Sequence, residues 1–416
     1  MDVLVVGGGG REHAICLTLS KSPRVGKLYC APGNGGIAGV AQCVDIAAAD
    51  VKEMVKFAKA KSIDFVIVAP EAPLALGMID AFEAEGIRAF GPRRDAAILE
   101  SSKVFSKNLM SKYNIPTASF EVFDDAHAAK RYVREKGAPI VVKTDGLASG
   151  KGVVIAFNVD TALRAIDDIM LEKKFGVSGN CVVIEEYMIG PEVTVLAFTD
   201  GKTIVPMLSS QDHKRVFTGD QGPNTGGMGA FCPSPYYSPD IAEECMETIF
   251  RPTVDAMRSE GRTFKGVLYF GLMLTQRGPC VVEYNARFGD PETQPILTML
   301  KTDLLDIFEA VVDERLDELN IEWRNGYACC VVMASGGYPA KYINGFEITG
   351  LDKVPEDITV FHAGTALSDS RYVTNGGRVL GVTATGEALI TAVVRAYEGV
   401  SRIKFARAHY RSDIGA

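Results

Sequence analysis

The stretch from Val281 to Glu292, VVEYNARFGDPE, runs an apolar pair into a dense polar turn. If Val281 and Val282 end a buried strand, the two-residue side-chain period puts Glu283 and Asn285 on one face, roughly 7 Å apart. Two oxygen donors so placed suit a magnesium-type ion, which takes one or two carboxylates and completes its shell with water and substrate phosphates. Arg287 keeps the same parity, and its planar fork matches a phosphate. Asp290 and Glu292 follow the bend at Gly289, where they could fix that arginine or meet a cationic substrate group. A strand end whose arginine merely neutralises its own acids would read the same way, so the rest of the chain has to decide.

Other segments carry compatible chemistry. Gly7 to Gly10, followed by Arg11, Glu12 and His13, should open a helix and offer backbone donors to an anion. The pattern departs from a dinucleotide fingerprint, because Glu12 replaces the third glycine and the strand ending at Pro32 offers no acid for a ribose diol. A small phosphorylated ligand is the better reading, with Asn34 and Glu71 in loops at the same sheet edge. A helix around Glu100 to Lys107 carries Lys103 and Lys107 one turn apart. The loop TDGLASGKG, with Gly150, Lys151 and Gly152, joins two strands and fails the Walker spacing, so it is a different phosphate loop or only a flexible hairpin. As a phosphate loop it would close over a triphosphate while Lys143 supplies a point charge from below. CVVIEEY ends in Glu185 and Glu186 and leads through Met188 to Glu192, as a nucleotide hinge would. PNTGGMG has three glycines in four residues and lets backbone approach a small ligand closely.

The elements that must position these groups read as α/β. Short apolar runs alternate with helical patterns over the first hundred residues, with strands at Val3 to Val6, Lys27 to Cys30, Phe65 to Ala69 and Arg88 to Phe90, which predicts a doubly wound parallel sheet. From Tyr327 the pattern turns β-rich, with a final helix near Glu387 to Glu398, and the SGGYP and NGGR segments read as turns. Among the 416 residues 47% are hydrophobic and 23% charged, as in an ordinary globular protein with room for a sizeable core. A net charge of −8 argues against nucleic acid and anionic membranes as partners. Nine cysteines without metal spacing read as reduced core residues, and with no leader or spanning run the chain is expected in the cytoplasm, as a monomer.

Taken together, Ser102-Lys103, Lys143 with DGLASGKGV, Glu185-Glu186 through Gly190 to Glu192, and Glu283-x-Asn285 resemble the nucleotide and metal elements of the ATP-grasp ligases. GGGGREHA, QDHKR, PNTGGMGA and NARFGDPETQP resemble the glycinamide ribonucleotide synthetases within that superfamily, and the resemblance spans essentially the whole chain. It implies an amino-terminal phosphoribosylamine-binding domain (1–102), an ATP-grasp domain (103–326) with a small lid at about 118–190, and a carboxyl-terminal domain (327–416). It implies Lys103, Lys143, Gly150, Lys151, Gly152, Glu185, Glu186, Met188 and Glu192 around ATP, and Glu283 and Asn285 on Mg²⁺ or Mn²⁺. Arg287, Asp212 and Lys214 would serve the chemistry. The substrates glycine and phosphoribosylamine would meet Gly8, Gly9, Gly10, Arg11, Glu12, Asn34, Glu71, Pro223, Asn224, Thr225, Gly226, Asp290 and Glu292. No acid lies in the strand Val267 to Leu274, where many of these ligases carry a further metal ligand.

Rival readings are an NAD-dependent oxidoreductase built on the glycine-rich start, a nucleotide sensor without turnover, and an ATP-grasp ligase acting on another carboxylate. The first leaves the lysines, the loop and the metal pair unexplained.

Overall fold

The computed structural model describes residues 1–148 and 152–416, so Gly150 and Lys151 of the expected phosphate loop lie outside the described residues. The amino-terminal sheet is parallel, in the order Gln42–Cys43, Leu28–Pro32, Val3–Gly7, Phe65–Val68, Arg88–Phe90. The edge strand Gln42–Cys43 is the one the sequence pattern did not predict, since two residues leave no periodicity. Val3 and Val5 pack with Ile15 and Leu19 on one face, whereas Leu4 and Val6 pack with Met54 and Ala58 on the other. Helices on both faces explain why these strands are apolar without alternation. Each fully buried Val or Leu side chain contributes about 1.5–3 kcal/mol. The order reverses at Val3–Gly7, and the loops after it and after Phe65–Val68 gather at the switch point where such sheets bind ligands.

The helix expected across Glu100 to Lys107 is two helices, Arg94–Ser101 and Lys103–Lys112. Ser102 between them is extended and caps the second, its hydroxyl accepting from the Phe105 N–H at 3.1 Å. The break lets Glu100 serve one wall of the site and Lys103 and Lys107 another.

The segment expected as a lid folds as an antiparallel sheet in the order Phe120–Phe123, Val182–Glu186, Ile140–Thr144, Val153–Ala156. Strand parity divides it. Val142 and Ile184 pack under the helices Ala126–Lys136 and Val159–Ile166, while Val141, Lys143 and Glu185 turn to the opposite face. Beneath lies a second antiparallel sheet, ordered Ile204–Pro206, Glu192–Thr199, Gly266–Thr275, Gly278–Asn285. Its last strand runs on through Asn285 instead of ending at Val282. Gly271 faces Glu283 while Leu272 faces Val281, so Val282 is the extra residue of a bulge.

The carboxyl-terminal sheet follows the order Gln211–Asp212, Gly229–Cys232, Tyr327–Ser335, Arg378–Gly386, Thr359–His362, with the helix Leu389–Arg402 packed on it. Two of its strands thus come from before residue 327. NGGR, read as a turn, ends in a strand residue, Arg378. No helix among the described residues is long and apolar enough to cross a membrane.

Candidate active site

A cleft of about 560 Å³ opens between the lid sheet, the second sheet and the helix Lys103–Lys112. Its volume suits a small-molecule site of roughly 300–1,000 Å³. Val141, Val153, Ile155, Met188 and Met273 make an apolar bed, and Lys103, Lys143, Lys214 and Arg287 bring cations to the same space.

One corner is a buried carboxylate shared by two lysines. Glu185 Oε2 accepts from Lys143 Nζ at 2.9 Å and lies 3.2 Å from Lys107 Nζ. Lys143 also donates to the Val282 carbonyl at 3.0 Å, the group that the bulge turns out of register. Lys103 donates to the Gly146 carbonyl at 3.0 Å, and burial lowers its pKa against the pull of Glu283. Glu186 lines the cleft at its rim, its carboxylate paired with Arg277 at 2.5 Å and accepting from the Ser119 N–H at 3.1 Å.

The metal-type pair sits beside Lys214, whose ammonium bonds Glu192 and lies 3.4 Å from Glu283 Oε1. Lys214, then Lys143 and Lys103, hold the Glu283 carboxyl down at about 2 against the cost of burial. Burial opposes charge on Lys214, yet Glu192 and Glu283 overcome it and raise its pKa well above the ordinary value. The Asn285 amide satisfies its neighbours with Nδ2 donating to Glu100 Oε1 at 3.1 Å and to the Tyr284 carbonyl at 3.2 Å, which turns Oδ1 away from them. An ionised carboxylate and an amide oxygen on alternate residues fit a hard divalent cation.

Arg287 is fixed by Glu71 at 3.2 Å and Glu100 at 3.0 Å, not by Asp290 or Glu292 as the sequence allowed. Burial opposes charge on Glu71, but Arg287 and Arg11 together bring its pKa down to about 2. Two buried carboxylate atoms along the cleft have no hydrogen-bond partner among the described residues: Glu185 Oε1 and Asp212 Oδ1. Native interiors satisfy such groups, so a cleft that strands two of them is built for polar ligand groups. Burial, then the nearby Glu292, pushes the Asp212 carboxyl well up, and burial raises Glu292 as well. His213 lies near Phe231 and does not line the cleft.

A smaller cavity, about 310 Å³, lies between the amino- and carboxyl-terminal domains, lined by Gly8, Gly9, Asn34, Asp290, Asn375 and Arg378 among others. Arg378 escaped the sequence reading because its segment looked like a turn. It spans the seam: its guanidinium lies 3.3 Å from Asp290 Oδ2 and donates to the carbonyls of Asp290 at 2.6 Å and Gly226 at 2.5 Å. Several expected substrate residues are occupied otherwise. Glu12 Oε2 accepts the Gly9 N–H at 2.5 Å and Oε1 pairs with Arg11 at 2.6 Å, so the helix that begins at Gly10 is capped by its own carboxylate where a dinucleotide's pyrophosphate would sit. That corrects the expectation of a freely offered helix terminus and disposes of the dinucleotide reading. Asn34 is consumed by Gly8, Gly36, Ile37 and His362 backbone groups. Gly10, Glu12 and Pro223 line neither cavity, whereas Asn224, Thr225 and Gly226 line the large one. Lys107, noticed only as a neighbour of Lys103, belongs to the cleft by geometry.

Comparison with known proteins agrees across the chain. Residues 1–100, 101–293 and 328–416 match the N domain, the ATP-grasp (A) domain and the C domain of phosphoribosylglycinamide synthetase. The chain is 48% identical to a phosphoribosylamine–glycine ligase of Caldanaerobacter subterraneus, covering all of both chains. It is 49% identical to a trifunctional purine biosynthetic protein of Gallus gallus, with 99% of this chain matched to 42% of that one. The crystal structure of a phosphoribosylamine–glycine ligase from Thermotoga maritima superposes with a TM-score of 0.85 at 34% identity over 100% of each chain. A biotin carboxylase from Campylobacter jejuni shares the fold, with a TM-score of 0.76 at 14% identity over 98% of this chain and 92% of that one.

Proposed function

The chain belongs to the phosphoribosylglycinamide synthetase family, and from that premise we propose that it joins glycine to 5-phosphoribosylamine with ATP as the energy source. The products are glycinamide ribonucleotide, ADP and phosphate, in purine biosynthesis. The observation that carries the reading is the cleft itself, where Lys103, Lys143, Lys214 and Arg287, the Glu283–Asn285 pair and two stranded carboxylate atoms converge beside an apolar bed.

A carboxylate is a poor acyl donor to an amine because its oxygen leaves badly. Glycine's carboxylate oxygen therefore attacks the γ-phosphorus, ADP departs, and glycyl phosphate forms. The amine of phosphoribosylamine then adds to the glycyl carbonyl, and phosphate leaves with that oxygen. Phosphoryl transfer is mostly positioning and charge neutralisation. Lys103, Lys143, Lys214 and the Arg287 guanidinium supply both from this chain's own residues. Glu283 and Asn285 would hold the divalent cation, Mg²⁺ or Mn²⁺, which neutralises phosphate charge when bound. Among the described residues no cluster of three His, Cys, Asp or Glu could hold a metal, in keeping with an ion that takes its remaining ligands from phosphate and water. Asp212 and Glu292, buried together, gain most from a cationic neighbour, which supports them as the seat of the glycine ammonium. The smaller cavity, with the Arg378 guanidinium in its wall, supports a ribose-phosphate seat distinct from the nucleotide's. One chain carries every group named, which supports action as a monomer with substrate, nucleotide and closing units at 1–102, 103–326 and 327–416.

Oxygen labelling tests the route. Glycine labelled in its carboxylate should pass one labelled oxygen to the phosphate released, and ADP should be the nucleotide product. Unlabelled phosphate, or AMP with pyrophosphate, refutes the activation step.

A further inference from the structure

Lys107 has no place in the chemistry above, yet it is among the most buried lysines of the chain, only 2% exposed. Its ammonium reaches Glu185 Oε2 at 3.2 Å and donates to Thr117 Oγ1 at 2.7 Å, and Thr117 in turn donates to the Val281 carbonyl at 2.7 Å. Lys143 takes the same Glu185 oxygen and the Val282 carbonyl. Within direct contact one carboxylate therefore answers two ammonium groups, with Glu283 acting on Lys143 only from farther off. A buried cation is costly unless something repays it, and a single shared carboxylate repays only one.

We infer that Lys107 is a positioning residue for the nucleotide: by sharing Glu185 it keeps that carboxylate from engaging Lys143 fully, and so leaves Lys143 available to an anionic ligand it does not itself need to touch. An ammonium has three N–H donors, and Lys143 uses two of them on Glu185 and Val282. With Lys107 uncharged, Glu185 and Lys143 form a closed one-to-one pair, and the corner becomes neutral towards phosphate. The inference rests on reading the cleft as the ATP site.

The environment of Lys107 makes its charge titratable. Burial lowers its pKa to about 8, against Glu185, which raises it, and with Lys143 lowering it further. The groups facing it are Glu185 and Lys143 from the lid, Thr117 and the Phe120 ring from the segment entering the lid, Cys280 from the metal strand, and Lys103 one turn earlier on its own helix. A lysine with a lowered pKa is charged below that value and loses its charge as pH rises through it.

The test compares the wild type with Lys107→Met and Lys107→Arg, reading KM for ATP, kcat and direct ATP binding by calorimetry at pH 7 and pH 9.5. Lys107→Met should raise KM for ATP about tenfold at pH 7, the effect of one charge a few ångströms further out, with a smaller change in kcat and none in KM for glycine. The wild-type ATP affinity should fall between pH 7 and 9.5 towards that of Lys107→Met, whose own affinity stays flat. Lys107→Arg, which does not titrate there, should stay tight throughout. Equal pH dependence in wild type and Lys107→Met overturns the inference, as does a kcat loss without a KM change. If Lys107→Met does not fold, a flat wild-type affinity across that range overturns it alone. Failure of the wild type to bind ATP at any pH would instead overturn the reading of the cleft.

Discussion

Replacing Glu283 by Gln keeps the shape of the side chain and removes one charge and one anionic oxygen. Its carboxyl is held at about 2, against an ordinary 4.5, chiefly by Lys214. At 1.36 kcal/mol for each pH unit, that gap is roughly 3 kcal/mol of preference for the charged form. Once the carboxylate is gone, Lys214, Lys143 and Lys103 face a dication with nothing between them. The divalent-ion concentration for half-maximal turnover should then rise by about 100-fold or more, since loss of even an outer partner of a metal ligand costs about 10–100-fold and this change removes the one anionic ligand. Stability is affected as well. A carboxyl whose folded pKa is depressed contributes its stability in full above pH 4.5 and loses it as pH falls to about 2. Glu283→Gln should therefore melt lower at pH 7, by at most the same ~3 kcal/mol, and the difference should shrink on acidification to pH 3. The strand itself survives, because Val281 and Tyr284 remain buried. ADP release across a Mg²⁺ titration, with thermal melts alongside, reads both effects. A folded Glu283→Gln enzyme with wild-type metal dependence would falsify the assignment of the pair.

Two further outcomes follow from the domain seam. Burial holds His13 down to about 3 and His362 to about 4, so both favour the folded state fully above pH 6.5 and lose that contribution as pH drops towards those values. Between pH 6 and 4.5, His362→Gln should lose stability less steeply than wild type by about 1.4 kcal/mol per pH unit, and equal slopes in denaturant melts would exclude a neutral buried imidazole. Arg378→Met should cost about 3 kcal/mol by removing the ion-pair partner of the Asp290 carboxylate, which keeps the Gln294 amide at 2.9 Å, and should raise KM for phosphoribosylamine well before that for ATP. Arg378→Lys should rescue little, since a single ammonium point lacks the breadth of the guanidinium fork, whose two terminal nitrogens reach Asp290 Oδ2 and the two carbonyls separately. A full rescue would mean that charge alone matters there.

Much of this was legible in the chain because local rules and function coincide. Val3 to Val6 is apolar on both parities because both faces of its sheet are covered, and Glu283 with Asn285 shares a face because strands alternate. The resemblance to a family supplied roles that spacing alone left open, such as Met188 beside an apolar bed. What escaped depends on distant partners. The break at Ser102 hides inside good helix formers, with only a capping serine to mark it. Glu12 looked available to a ligand, but it folds back on the Gly9 amide. Arg378 ends a glycine-rich run that reads as a turn, and only the packing of the last sheet against the 290 loop reveals its use.

The pairing of Gln211–Asp212 and Gly229–Cys232 with the last domain's strands has a mechanical side. Lys214 leaves from the edge of that sheet, and its hairpin is fastened to the chain's end by Arg411, which bonds Asp220 Oδ1 at 2.7 Å and the Arg215 carbonyl at 3.1 Å. Glu283 belongs to a different sheet. The 3.4 Å between their side chains is thus a ruler laid across two sheets that meet at the paired Ser210 and Thr194 backbones, and a small slip at that joint alters the field that keeps Glu283 ionised. The charge on Glu283 is in this sense a report on how the two sheets are seated, so a substitution far out in the last domain can reach it without approaching the cleft.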